Sequence, residues 1–209
     1  MAGKITKLEF QKKNPDRVSV FLDGRFAFGL PAITAARLKR DQFLSDAEIE
    51  SLQAEDTVET AYGRALNYLS YRPRSRAEVK SYLEKRDLSE SQIEEVAARL
   101  ERAGLLDDEA FARYWVENRE RNRPKGPRAL RYELWNKGIS NEIVERVLVT
   151  VDVQDSAYRS AARKARQLAH LDQGTFTKKI IEYLARRGFD YEVARETAAH
   201  HWAELAADD

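Results

Sequence analysis

The chain of 209 residues contains no cysteine. That excludes disulfide frameworks, thiolate nucleophiles and sulfur-ligated metals together. Histidine is scarce as well, with three residues at 170, 200 and 201. His170 and His200 have no Cys, and no pattern of Asp or Glu at ligand spacing, to complete a metal site. His201 lies on an apolar stripe, where a structural role is expected. Long apolar runs are missing too. VLVTV at 147–151 is about the longest, against the ~20 residues a membrane helix needs. MAGKITKLEF carries no signal-peptide core. There is no Gly-rich phosphate loop, no His-Glu-x-x-His and no Gly-x-Ser-x-Gly. These absences lead us to expect a cytoplasmic protein that is not an enzyme and has no cofactor, metal or membrane attachment.

What is present is charge and helical periodicity. Charged residues make up 34% and hydrophobic residues 43%, the balance of a folded, helix-rich chain. A net charge of +1 hides local excesses. Residues 1–40 carry nine Lys/Arg against three Asp/Glu, and residues 113–131 carry seven against two. Such stretches can bind a polyanion through a patch.

The clearest pattern is a repeat. YRPRSRAEVKSYLEKRDLS at 71–89 recurs 51 positions later as NRPKGPRALRYELWNKGIS. Arg72, Pro73 and Arg74 fall on Arg123, Pro124 and Lys125; Val79 and Leu83 fall on Leu130 and Leu134. A fainter third copy carries Ile180, Leu184, Gly188, Phe189 and Asp190. A fixed period with kept apolar positions predicts stacked helical units.

Taken in order, Ile5 to Leu30 reads as β structure. Val18, Val20 and Leu22 share a face, Asp23-Gly24 marks a hairpin, and Phe26, Phe28 and Leu30 alternate. KITKLEFQKK supplies a third strand, with Asn14-Pro15-Asp16 as the turn. A helix from Pro31 to about Lys39 follows, then one capped by Ser45-x-x-Glu48 and ending near Ala54. The expected division is a module at 1–56 and three-helix units at 57–105, 106–153 and 154–209. Ser75, Ser89 and Ser140 cap helices, Asp107 or Asp108 opens the second unit, and Asp155 the third. Gly104, Gly138 and Gly188 stop helices. Asp87 stands where the later units have glycine, which sets the first-unit corner apart. Phe111, Tyr114 and Trp115 are expected to be buried, and Trp135, after the inward Leu134, to be partly exposed.

The candidate binding residues are the cations of the matched corners and their neighbours: Arg72, Arg74, Arg119, Arg121, Arg123, Lys125, Arg128 and Arg131. Proline restricts each corner and fixes where its cations project. Arg159, Arg163 and Arg166 form a further stripe. Guanidinium forks suit phosphate and carboxylate alike, so DNA and an acidic protein surface both remain open. Trp115 and Trp135 lie near this stretch; stacking on unpaired bases competes there with core packing.

Two segments, 65–89 and 103–140, resemble the RecX family of bacterial RecA regulators. The resemblance rests on Leu-Asp-Asp-x-x-Phe at 106–111 and on Gly-x-x-x-(apolar)-x-x-Glu-Leu-x-x-Lys-Gly-Ile at 126–139. It covers about 57–205, and the strand module resembles the N-terminal extension of longer members. It implies a mainly α fold: three tandem three-helix repeats in an elongated curved array, after a small antiparallel sheet module. It also implies binding to RecA filaments on single-stranded DNA, restraint of filament growth, ATP hydrolysis and strand exchange, and a role in recombination and DNA repair. A monomer without cofactor is expected. A generic helical-repeat nucleic-acid binder and a scaffold for an acidic protein are the alternatives.

Overall fold

The computed structural model describes residues 2–207. Ten helices and four strands occur among them. The chain divides into two compact units: residues up to Arg72 with Lys80–Ala103, and Pro73–Val79 with the residues from Gly104 onward.

The first unit begins with an antiparallel sheet of order β3-β2-β1-β4, built from β1 (Gly3–Gln11), β2 (Asn14–Leu22), β3 (Arg25–Pro31) and β4 (Phe43–Leu44). Ile5, Val18, Val20, Leu22, Phe28 and Leu30 form its buried face. Asp23 and Gly24 both take positive φ (47° and 82°), as a primed two-residue turn requires. The other turn falls at Lys12-Lys13, not at Asn14-Pro15-Asp16. Asn14 opens β2 instead, its Oδ1 accepting from the Asp16 amide. A register shift between Val20 and Phe21 breaks the alternation expected for β3, and Phe26 turns outward against Phe21.

Between β3 and β4 only Ala32–Ala35 is helical (α1), shorter than the helix expected to Lys39. Then comes a single helix of 25 residues, α2 (Asp46–Ser70), where two were expected. Its capping box at Ser45 and Glu48 is formed. Nothing at 54–57 stops it, because Ala, Glu, Asp and Thr all tolerate a helix interior. Its start buries Ile49 against the sheet, and Arg17 of β2 forks onto Asp56 at 2.8 Å. Farther along, Val58, Ala61 and Ala65 are buried, as are Ile93, Val96, Ala97 and Leu100 of α4 (Glu90–Arg102). α3 is Arg76–Glu84; Tyr82 stacks on Tyr68, with ring centroids 4.1 Å apart.

The second unit holds two three-helix bundles: α5 (Asp108–Asn122), α6 (Pro127–Trp135) and α7 (Asn141–Leu148), then α8 (Val153–Leu168), α9 (Gln173–Arg186) and α10 (Tyr191–Ala207). Phe111, Ala112, Val116, Leu130, Leu134, Ile139, Val144 and Val147 fill the first core. Burying each large aliphatic is worth about 1.5–3 kcal/mol. Tyr114 turns outward, contrary to expectation, because the buried stripe of α5 runs through 111, 112, 115 and 116. α8 starts two residues before Asp155, capped by Asp152. His201 is buried, stacked on Tyr158 at 4.3 Å with Nε2 3.1 Å from the Tyr158 carbonyl.

One turn recurs in every bundle. Asp87, Gly138 and Gly188 occupy the same slot between second and third helices, and all three have positive φ: 58°, 76° and 88°. The backbone of the first corner therefore matches the others despite its aspartate. Glycine is needed at the later two for a second reason. A Cβ on Gly138 would lie 2.4 Å from the Ala77 Cβ, and one on Gly188 2.4 Å from the Ala129 amide nitrogen. Asp87 is exposed, and aspartate is among the few residues that tolerate this conformation.

Candidate functional site

The corner between α5 and α6 carries most of the candidate cations. Arg123 caps α5 with a non-helical backbone (φ −152°, ψ 77°). Gly126 caps α6, and Pro127 takes its first position, where the missing N–H is not needed. The corner is clamped to the turn after α9. The Gly126 amide donates to the Arg187 carbonyl at 3.0 Å and the Arg128 amide to the Gly188 carbonyl at 3.3 Å. In return the Arg187 guanidinium donates to the Pro124 carbonyl at 2.9 and 3.2 Å. The projecting side chains thus start from a fixed backbone.

Within the corner the cations have different fates. Glu133 of α6 gathers three donors: Trp115 Nε1 at 2.8 Å, Arg119 Nε at 2.8 Å and the Lys125 ammonium. Burial alone pushes this carboxyl up, but hydrogen bonds from Lys125, Arg119 and Trp115 outweigh it and hold it below the ordinary carboxylate value. The Arg119 guanidinium also lies 4.5 Å from the centre of the Trp115 ring, and the Lys137 ammonium 5.1 Å from it. Lys137 in turn bonds Glu78 at 2.6 Å. Arg119, Lys125 and Trp115 are therefore built into the bundle.

Arg121 is loosely paired with Glu117 at 3.7 Å and is exposed. Arg131 forks onto Glu145 at 2.6 and 2.9 Å, also on the surface. Arg128 donates to the Ala185 carbonyl at 2.8 Å. Arg123 is exposed and has no ion-pair partner among the described residues. Arg72 and Arg74 sit half-buried between α2 and α3. The Arg159 stripe is engaged in part, since Arg159 binds Asp155 and Glu120 at 2.6 and 2.7 Å.

Exposed pairs are worth about 0–1 kcal/mol, so phosphate or carboxylate from a partner can displace them at little cost. Arg121, Arg123, Arg128 and Arg131 remain available on that ground, whereas Arg119 and Lys125 are committed to a half-buried acid. The sequence reading missed Glu133 as the acid that claims two of the eight. It also missed Tyr132, 64% exposed, which with Trp135, 65% exposed, follows Arg128 and Arg131 along one face of α6 at spacings of three and four. Periodicity holds the signal for that face, since Leu130 and Leu134 point inward between these positions.

Comparison with known proteins matches most of the chain. It matches the RecX N-terminal domain at residues 3–45 and the first, second and third RecX three-helix domains at 61–100, 107–148 and 151–197. It is 35% identical to Regulatory protein RecX of Bacillus subtilis (strain 168), over 90% of this chain and 74% of that one. With Regulatory protein RecX of Listeria monocytogenes serovar 1/2a the identity is 30%, over 99% and 78%. Both relatives are named as regulators. A crystal structure of regulatory protein RecX superposes with a TM-score of 0.79 at 27% identity, covering 94% of this chain and 99% of that one. RecX from Lactobacillus salivarius gives 0.65 at 29% identity, covering 72% and 99%.

Proposed function

Because this chain belongs to the RecX family, we propose that it regulates the RecA recombinase by binding RecA filaments formed on single-stranded DNA. Binding restrains filament growth, ATP hydrolysis and strand exchange, and the protein acts as a monomer. The match of all four RecX domains in order carries this reading. The contact set comprises Arg72, Arg74 and the α5–α6 corner. Arg121, Arg123, Arg128 and Arg131 meet phosphates or acidic side chains directly, while Arg119 and Lys125 hold the corner in shape through Glu133. Filament states shift only through differential affinity for them. A body that touches the filament at several cations gains that difference when subunit spacing changes.

Titrating the protein into a RecA ATPase assay on single-stranded DNA tests the function, and a fall in turnover is expected. Replacing Arg123 and Arg128 by Ala should raise the concentration needed and flatten the salt dependence of filament binding, by about 0.7 in log–log slope per lost phosphate contact. A folded double variant with unchanged affinity and slope removes the corner from the interface. A chain that leaves ATP hydrolysis untouched and binds bare DNA as tightly as the filament is a generic nucleic-acid binder.

A further inference from the structure

The α5–α6 surface leaves the positive charge of the first forty residues without a use. The N-terminal sheet has an outer face opposite its core, and cross-strand partners share a face. The pairs Lys7↔Phe21, Phe21↔Phe26 and Lys4↔Phe43 therefore put these five side chains on that outer side. Phe26 and Phe43 are 61% and 63% exposed. Phe21 is half-buried and meets Phe26 edge to face, with centroids 6.0 Å apart at 78°. The Lys7 ammonium lies 5.4 Å from the centre of the Phe21 ring and 2.8 Å from Glu9. Lys4 pairs with Asp41 at 2.9 Å. Both lysines stay about half exposed, in surface pairs that a partner can open cheaply.

Phenyl rings in water add little to a fold, and no polar tip explains their place here. Phe26 and Phe43 sit on the two outer strands, which lie three strand spacings or about 14 Å apart across the sheet, and they are offset along it by the three residues from Lys7 to Lys4, with the lysines between them. Rings spaced by cations do not merge into the apolar centre of a protein interface. They suit unpaired bases, which stack on sheet-borne aromatics while ammonium groups meet the phosphates. We propose that the outer face of this sheet is a platform for single-stranded nucleic acid. Phe26, braced by Phe21, and Phe43 stack on bases, and Lys4 and Lys7 take the flanking phosphates. This site is independent of the RecA reading and needs no filament.

The test uses the full chain, fluorescein-labelled oligo(dT) and a labelled hairpin duplex, with binding followed by anisotropy. Phe26→Ala and Phe43→Ala should each weaken oligo(dT) binding about 5- to 100-fold, leave the salt slope unchanged and spare the duplex. Phe26→Tyr should retain binding. Lys7→Ala should lower the slope by about 0.7. An oligonucleotide carrying 5-iododeoxyuridine should photocrosslink to the peptide that contains Phe26. The proposal fails if the folded Phe→Ala variants bind oligo(dT) like the parent. It fails equally if single strand and duplex lose affinity together, or if only affinity for the RecA filament falls, since the face is then a protein contact.

Discussion

At the residue scale, Glu133 ties the candidate site to the stability of its bundle. Its folded-state value lies below the ordinary 4.5, so the carboxylate is stabilising in the folded protein. That contribution is fully present above about pH 4.5 and is lost as pH falls through the lower, folded value. Glu133→Gln should cost about 1.5–3 kcal/mol at pH 7, the range for hydrogen bonds to a charged group. In urea titrations the gap between variant and parent should narrow as pH drops from 5 to 3. The shared turn makes a second residue-level prediction. Gly188→Ala should cost about 1–3 kcal/mol by chemical denaturation, from positive φ and from the approach of Ala129. Asp87→Gly should change stability by under about 1 kcal/mol. The sequence shows which slot these residues share. It does not show that Ala77 and Ala129 press on the later two, because that is a contact across more than fifty residues.

At the element scale, most helices were legible because their caps are local. Ser45, Ser75, Ser89 and Ser140 each accept from the amide three residues on, as their spacing predicts. Strand faces were legible up to the irregularity at Val20/Phe21, where one shifted pair reverses Phe26 and no sequence signal announces it. The continuity of α2 was not legible, since the capping box tells where a helix starts and only a breaker tells where it stops. Thr57→Pro separates the two readings. Within one helix it should cost about 3 kcal/mol or more and reduce helical circular dichroism. At a junction between two helices it would be tolerated. On α6, Trp135→Ala removes an exposed ring that serves no core. It should leave the melting temperature within a degree or two, and, if the exposed face of α6 that also carries Arg128 and Arg131 meets the RecA filament as we propose, weaken filament binding about tenfold or more.

At the scale of the whole molecule, the repeat was readable because each bundle must bury the same positions at the same spacing. The binding surface was readable only in part. Composition marks where cations are dense; whether an acid such as Glu133 or Glu145 already holds them depends on how helices meet. The partner itself came through resemblance and not through charge. All three tryptophans, at 115, 135 and 202, lie in the second unit, so their fluorescence follows that unit alone. Hydrogen exchange can follow the first, and amides from 52 to 66 should show one protection level across the predicted seam at 56. That seam falls inside α2, whose early turns close the floor of the sheet and whose later turns belong to the adjoining bundle. A deletion meant to isolate the three bundles must therefore either carry a bare greasy stub or shorten the bundle's own wall, and a domain swapped in from a relative has to bring the entire rod with it.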